Sequence, residues 1–515
     1  MLRRRFKNLP WYFICSQLRR SAHTQGELAV VWCGSFICNR ISLSPQVPST
    51  LGAYTLYQGP VGVASKLTRS EQTEADMQSN WHSTGPSRRR DVLRMLCLAS
   101  AGGALEFYDF VIFVFLAEAI SVLFFPPDMP PWLAMIQTYG IFASGYIFRP
   151  LGGIVLAHFG DMFGRKRVFA FSILLMAGAT LAVGLLPTYQ SAGIAAPILL
   201  VVLRIFQGIA IGGEVPGAWT FAAEHVSSRR VGFACGLVCA GLGVGIFLGA
   251  SLTALTTMVL PPADMLSYGW RLPFILGGIF GLIGMQLRRM LHETPAFVAL
   301  RAKKQLVPEL PLAVVVKTYR RSIVISVLCT WILSASVVML TLMVPTILEG
   351  SHHVDHQAAL IATTISAMSL VVGVVSGGLL FDRIGAARFF MVGGLFLAIG
   401  GFAFYNISTS APAEVFLSSA IIGFSGLSAV GAAVVMVSCF PPSVRFSGVS
   451  FSYNISYAFF GGLTPVTLAT FLTIWSLSHV VYLLFVSALT MGLGVYFLVR
   501  PESLTDRQPV SSAQS

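Results

Sequence analysis

The sequence predicts an all-α polytopic membrane protein, with twelve transmembrane helices in two six-helix bundles. Three observations lead there. The 515 residues are 55% hydrophobic and only 11% charged, with a mean hydropathy of +0.75, a balance that no soluble domain needs. Lysine and arginine fall on one side only of the apolar segments. A polar, glycine-bearing turn, His158-Phe159-Gly160-Asp161-Met162-Phe163-Gly164-Arg165-Lys166-Arg167, returns in weaker form as Gly377-Gly378-Leu379-Leu380-Phe381-Asp382-Arg383-Ile384-Gly385-Ala386-Ala387-Arg388. Such a run cannot lie in lipid and must be a tight turn at one membrane face. Its recurrence at long range marks a duplicated half.

Residues 1–87 differ from the rest, mixing Arg, Ser, Gln and Gly with apolar bits too short to span. The expectation is that this extension is disordered or that translation begins at Met77, leaving 1–76 upstream of the true start. Helices follow at about 92–120 (α1), 132–157 (α2), 167–186 (α3), 195–219 (α4), 231–258 (α5) and 270–288 (α6). A basic loop covers 288–321, and α7 to α12 cover about 322–347, 357–380, 388–407, 413–438, 446–472 and 477–499. The domain expectation is therefore a bundle over 88–287, the loop, a second bundle over 322–500 and a short polar tail, 501–515.

The gaps 121–131, 187–194, 259–269, 348–356, 408–412 and 473–476 hold no Lys or Arg. The other side holds Arg88 to Arg90, Arg165 to Arg167, Arg229, Arg230, Arg288, Arg289, Arg301, Lys303, Lys304, Lys317, Arg320, Arg321, Arg383, Arg388, Arg445 and Arg500. That asymmetry makes the basic side cytoplasmic, with both termini on it. It also accounts for the net charge of +13 without a nucleic-acid partner. The cysteines form neither a disulfide framework nor a metal spacing. His352, His353, Asp355 and His356 resemble a metal cluster but are expected to be a solvated loop, so no metal is assigned.

Charges inside a membrane are costly and mark function. The first bundle carries Glu106, Asp109, Glu118, Arg149, Arg204 and Glu214, whereas the second carries none at midspan. Glu106 and Asp109 share a helix face, and two carboxyls in a low-dielectric cavity resist ionising together. They are the candidates for proton coupling, with a structural clamp to an arginine as the alternative. Arg204 can give a carboxylate two parallel hydrogen bonds and is the candidate substrate anchor, or else an ion-pair partner of those acids. Arg149, nearer the basic face and followed by Pro150 and Gly152-Gly153, is expected to gate or clamp. Glu214, Asp161, Arg165, Lys166, Asp382 and Arg383 complete the expected cytoplasmic gate. Trp331, Tyr453, Asn454 and Tyr457 are candidate neutral contacts from the second bundle, with packing as the alternative. Gly241, Gly245 and Gly249 predict a close contact along α5.

The turn Gly160-Asp161-Met162-Phe163-Gly164-Arg165-Lys166 resembles the cytoplasmic signature of the major facilitator superfamily. Six further runs are similar to its metabolite:H+ symporter branch. They are Leu105-Glu106-Phe107-Tyr108-Asp109-Phe110, Arg149-Pro150-Leu151-Gly152-Gly153, Arg204-Ile205-Phe206-Gln207-Gly208 leading to Gly212-Gly213-Glu214, Tyr453-Asn454-Ile455 leading to Gly461-Gly462-Leu463-Thr464-Pro465, and Gly269-Trp270-Arg271-Leu272-Pro273-Phe274 with Glu293-Thr294-Pro295-Ala296-Phe297. Met162 stands where the signature usually has a base, Phe107 where the branch often has Trp, and Ala386 and Ala387 where the second turn has bases. The resemblance implies alternating access, no cofactor beyond the proton gradient, and a monomer in a bacterial inner membrane. It implies proton-coupled symport of a small polar metabolite, with Tyr108 and Gln207 joining the substrate contacts. Helix α5 lacks the proline of the superfamily's antiporter motif, which favours symport. The short tail lacks the coiled coil of the branch's osmosensing transporters, so a di- or tricarboxylate or α-ketoglutarate is favoured. Proline or betaine, and an exporter or facilitator, are the alternatives. A membrane enzyme would need a clustered nucleophile and base, and a sensor a soluble output domain. The sequence shows neither.

Overall fold

The computed structural model describes residues 86–163, 165–289, 311–407, 411–441 and 444–501. The expectations for residues 1–85, including the start at Met77, fall outside these. Every long element among the described residues is a helix. Nine are long and apolar enough to cross a membrane. One of them, His356–Tyr405, is two helices that meet at the non-helical residue Gly385, and so two crossings. A bent pair, Pro262–Gly269 with Arg271–Gln286, supplies a further crossing, and the shorter apolar helix Phe171–Gly184 another. Together they give the twelve expected.

Several predicted helices are broken inside the span. Helix α1 runs Pro86–Phe115 and resumes as Ala117–Leu123. Helix α2 is Pro131–Ile147 followed by Arg149–Phe163, and α4 is Ala195–Ile211 followed by Glu214–Glu224. Helix α7 (Arg320–Val337, then Val344–His352) and α11 (Arg445–Ser456, then Leu463–Ile474) each pass through a π-helical turn, at Val338–Leu342 and Tyr457–Gly461. A single short 3-10 turn, Gly426–Ser428, divides α10 into Pro412–Ser425 and Ala429–Ser438. Helices α3 (Arg165–Gly184), α5 (Val231–Val259), α6 (Arg271–Arg289) and α12 (Ser478–Val499) match their expected positions. The expected tight turn between α8 and α9 is present: the chain turns at Gly385, whose φ of +76° suits a residue without a Cβ. The basic loop 288–321 contains a helix, Pro311–Thr318.

Within the first bundle α1 packs on α5 and α6, α2 on α4, and α3 on α4 and α6. In the second, α8 and α9 pack on α10 and α12, and α7 on α10 and α11. The bundles meet where α5 crosses α8 and where α2 and α4 meet α11. Side chains such as Leu174, Leu199, Phe402 and Phe485 stay exposed on the outer surfaces, where lipid rather than water is their solvent.

Missing side chains set the closest contacts. A Cβ on Gly208 would lie 1.9 Å from the Gly145 carbonyl oxygen, and one on Gly152 would lie 2.1 Å from that of Ile209. Along α5 the expected contact is present: a Cβ on Gly241 would meet the Ser100 carbonyl at 2.4 Å, and one on Gly245 that of Ala104 at 2.3 Å. Backbone cannot yield as a flexible side chain can. Gly208→Val is therefore expected to cost more than about 3 kcal/mol, seen as loss of a cooperative melting transition in detergent. Gly140→Ala, with nothing within 4 Å of the new methyl, should be neutral or stabilise by up to about 1 kcal/mol.

Candidate functional site

Asp109 lies in α1 and is 1% exposed. Neither of its oxygens has a hydrogen-bond partner. It faces α6, where a Cβ on Gly277 would sit 2.5 Å from its Oδ1 and close to Thr180. Thr180 accepts from Gln207 Nε2 at 2.9 Å, and Gln207 Oε1 accepts from Arg204 Nη1 at 2.7 Å. Arg204 also donates to the Phe110 carbonyl at 3.2 Å. Its guanidinium is 4.4 Å from the Phe110 ring centroid and 4.7 Å from that of Phe113. The expected substrate anchor thus lies wholly inside the first bundle. Its partners are a carbonyl, an amide and rings, with no carboxylate among the described residues. Tyr108 also turns inward, donating to the Pro273 carbonyl at 2.9 Å. Glu106, one turn nearer the basic face, is buried as well.

Arg149 is the arginine at the junction of the bundles. The break of α2 at Phe148 places it fully buried, and its guanidinium carbon lies 5.1 Å from the ring centroids of both Tyr453 and Tyr457. Tyr146 and Phe110 complete the surround at 5.4 and 5.8 Å. Nη2 lies 3.5 Å from the Tyr453 hydroxyl, the outer limit of a hydrogen bond. Nε and Nη1 have no partner, and no carboxylate among the described residues lies within ion-pair distance. Beside it is a cavity of about 30 Å³ lined by Phe107, Trp219, Cys239, Leu333, Tyr453 and Tyr457, among others. That holds little more than a water molecule, so the bundles must part to admit a solute. Trp219 meets Tyr453 edge-on at 5.2 Å. Tyr146 stacks on Tyr457 at 5.2 Å across the bundle boundary.

Of the expected second-bundle contacts, Tyr453 and Tyr457 reach this cavity. Asn454 instead bridges bundles, donating to the Gly212 carbonyl at 2.5 Å. Trp331 does not line it. Its ring stacks on Phe460 at 4.0 Å and its indole donates to the Tyr482 hydroxyl at 3.0 Å, all within the second bundle.

Both ends of the junction are closed. At the basic face Asp382 accepts from the backbone N–H groups of Gly232 and Phe233 at 2.7 and 2.8 Å, so a carboxylate from α8 sits on the first turn of α5. Arg445 pairs with Glu224 at 3.2 Å. Ser172 Oγ lies 3.4 Å from Glu214 Oε1. Arg383 is exposed, and the side chains of Asp161, Arg165 and Lys166 lie outside the described residues. At the opposite face the Tyr139 hydroxyl meets that of Thr346 at 2.5 Å. His356 Nδ1 there lies 2.9 Å from Glu118 Oε2 and 2.8 Å from Glu349 Oε1. Of the residues expected in a solvated loop, His353 and Asp355 are exposed, whereas His356 is engaged by acids of both bundles. The donor atoms of His356, Glu118 and Glu349 lie within 4.8 Å of one another, but the imidazole already engages both carboxylates.

Sequence reasoning missed Trp219, the pairing of Glu224 with Arg445, and the meeting of Glu118 with His356. Each joins positions more than 200 residues apart and had no local signal. A tryptophan one turn beyond Glu214 on an otherwise small-residue stretch was the one usable hint.

The comparisons agree with one another. The family model of the Major Facilitator Superfamily matches residues 108–465. The proline/betaine transporter of Escherichia coli (strain K12) is 32% identical over 400 residues, covering 74% of this chain and 77% of that protein. The glycine betaine/proline/ectoine/pipecolic acid transporter OusA of Dickeya dadantii (strain 3937) is 32% identical over 391 residues, covering 73% and 77%. A solved structure of the proton:xylose symporter XylE superposes with a TM-score of 0.64 over 79% of this chain and 95% of that one, at 17% identity.

Asp382→Asn keeps the shape of the basic-face closure but turns one of its two acceptors into a donor facing an N–H. It is expected to weaken closure by about 1–3 kcal/mol. Alkylation of Cys239, which lines the cavity, should quicken about tenfold or more. Cys329, buried in the second bundle, should keep its rate. An unchanged rate at Cys239 would remove Asp382 from the closure.

Proposed function

The chain belongs to the Major Facilitator Superfamily, and we propose that it carries a small zwitterion of the betaine or proline class, together with protons, by alternating access. It is a multi-pass membrane transporter and not an enzyme. The proposed setting is a bacterial inner membrane with the basic face toward the cytoplasm, as the one-sided lysines and arginines require. The proposed working unit is a monomer, since a single chain contains both bundles and the cavity.

One observation carries the choice of solute. Among the described residues the junction offers the guanidinium of Arg149, whose Nε and Nη1 have no hydrogen-bond partner, and a set of aromatic faces, Phe107, Trp219, Tyr453 and Tyr457. A carboxylate matches the guanidinium, and a quaternary or secondary ammonium matches the rings. A di- or tricarboxylate would leave at least one charge uncompensated in a low dielectric. The names of the relatives point the same way. The carboxylate favoured from sequence rested on the length of the tail and gives way to the zwitterion. The anchor moves with it, from Arg204 to Arg149.

Asp109 is proposed to carry the coupled proton. A fully buried carboxylate with no hydrogen bond costs several kcal/mol. The neutral acid therefore suits the closed arrangement, and the charged form suits an arrangement wetted from one side. Glu106, one turn toward the basic face, is positioned to relay the proton. Arg204 holds Gln207 and Thr180 in place beside it.

Uptake of labelled glycine betaine, proline, citrate and α-ketoglutarate into energised vesicles tests the reading. Expected is protonophore-sensitive uptake of glycine betaine or proline and none of citrate or α-ketoglutarate. Uptake of citrate alone would overturn it. Arg149→Lys should raise KM about tenfold, because an ammonium cannot give two parallel hydrogen bonds. Asp109→Asn should abolish accumulation against a gradient while leaving solute exchange in place.

A further inference from the structure

The mouth opposite the basic face is held by a contact that the transport reading does not use. Glu118, on the short helix Ala117–Leu123, belongs to the first bundle. Glu349, on Val344–His352, and His356, at the head of α8, belong to the second. One imidazole nitrogen faces one carboxylate oxygen from each bundle, at 2.9 and 2.8 Å. The side chains are 36%, 58% and 30% exposed for His356, Glu118 and Glu349, so protons in the medium reach them. We propose that Glu118, Glu349 and His356 form a proton-binding latch that holds this mouth closed in mild acid and releases it as the medium turns alkaline.

The argument is one of charge. A cation between two anions binds the bundles together, whereas a neutral imidazole leaves two carboxylates facing each other across the junction. When the bundles part, Glu118 leaves with its own bundle and His356 keeps a single acid neighbour. Closure therefore takes up a proton while the medium lies between the ordinary imidazole value of about 6.5 and the value of about 10 to which the hydrogen bonds to Glu118 and Glu349 push His356. That contribution is complete below the lower value and is lost as pH rises through the upper one. Glu118 gives the opposite limb. The hydrogen bond to His356, and then its charge, hold the Glu118 carboxyl below its ordinary range despite partial burial. Its contribution is whole above the ordinary glutamate value and is lost as pH falls through the lowered one. The latch is tightest between the two.

Among the described residues no further cation pairs with these three groups. Asp355 caps the head of α8, accepting from the Gln357 N–H at 3.0 Å. Tyr139 of α2 bonds the Thr346 hydroxyl. His353 follows His352, and His352 points to His479, ring centroids 6.4 Å apart, inside the second bundle.

The proposal rests on the bundles moving as proposed above and on no choice of solute. Its test uses the full chain in lipid nanodiscs, native cysteines replaced by alanine. Spin labels sit at Val122 and Ile474, which are 60% and 77% exposed at this end of the two bundles. The open-to-closed ratio is read from the distance distribution between pH 6 and pH 8.5, without solute. For a half-exposed pair a rise of roughly three- to tenfold is expected. His356→Gln should raise the open fraction and flatten the response. His356→Lys, a fixed cation, should flatten it on the closed side and carries the test if the glutamine variant does not fold. A ratio that ignores pH in the unsubstituted chain, or a slope surviving both substitutions, would overturn the latch. Distances that move with glycine betaine but not with pH would overturn it and leave the transport reading intact. Distances that never move would remove both.

Discussion

Everything at the junction depends on how closely α2 and α4 approach. Their backbones touch because Gly145, Gly152, Gly208 and Gly212 offer no side chain there. A Cβ on Gly212 would lie 2.4 Å from the Arg149 carbonyl. Without water, helix association in a membrane comes from such packing rather than from expelling apolar surface. The contact fixes two arginines on opposite sides of the α2–α4 pair. Arg204 points into the first bundle, under Phe110 and Phe113. Arg149 points to the second, among Tyr453 and Tyr457. The same approach bares the Gly212 carbonyl, which Asn454 then takes.

The two bundles divide the chemistry between them. The first holds the buried charges, the second supplies tyrosine rings, an amide and hydroxyls. A charge in a low dielectric needs a partner or a reason to be neutral. Arg204 has partial partners in Gln207 and the Phe110 carbonyl, which makes it a framework residue. Arg149 has rings alone on its solute-facing side, and Asp109 has nothing. Those two are the groups whose energy changes most when the bundles part, one by gaining an anion and the other by losing a proton. The basic face is held by a carboxylate on backbone N–H groups and by the Arg445–Glu224 pair, and the far face by the part-buried Tyr139–Thr346 contact and the half-exposed Glu118, Glu349 and His356.

Much of the fold was legible because apolar length and one-sided bases are properties of the chain itself. The spans, the duplicated turn and the glycine contact of α5 with α1 all came from residue type and spacing. What failed was local backbone detail. The break at Phe148 and the two π turns are announced by prolines, which a reading of apolar length passes over. Pro150 comes shortly after Phe148, and Pro345 and Pro465 lie about one turn past the π turns, where each lacks the N–H that the regular ladder needs. The break at Leu116 has no proline beside it. The site was legible as a set of residues and not as an arrangement. Sequence gives the depth of a residue in the membrane, and Arg149 and Arg204 are both deep. It does not give the azimuth of a side chain around its helix with enough accuracy to say which one faces the junction. The same uncertainty put Trp331 in the solute's path, where the structure stacks it on Phe460, and left out Trp219.

The π turns in α7 and α11 bear on how such a chain can change over generations. A π turn holds one residue more than regular α-helix needs over the same rise, and the surplus is absorbed locally. Because the surplus is absorbed there, losing one residue from Tyr457–Gly461 would restore the regular helix without turning the Leu463–Ile474 half against α2. Single-residue length changes at these two turns are therefore changes the fold can take up locally, with Tyr453 and Asn454 left where they are.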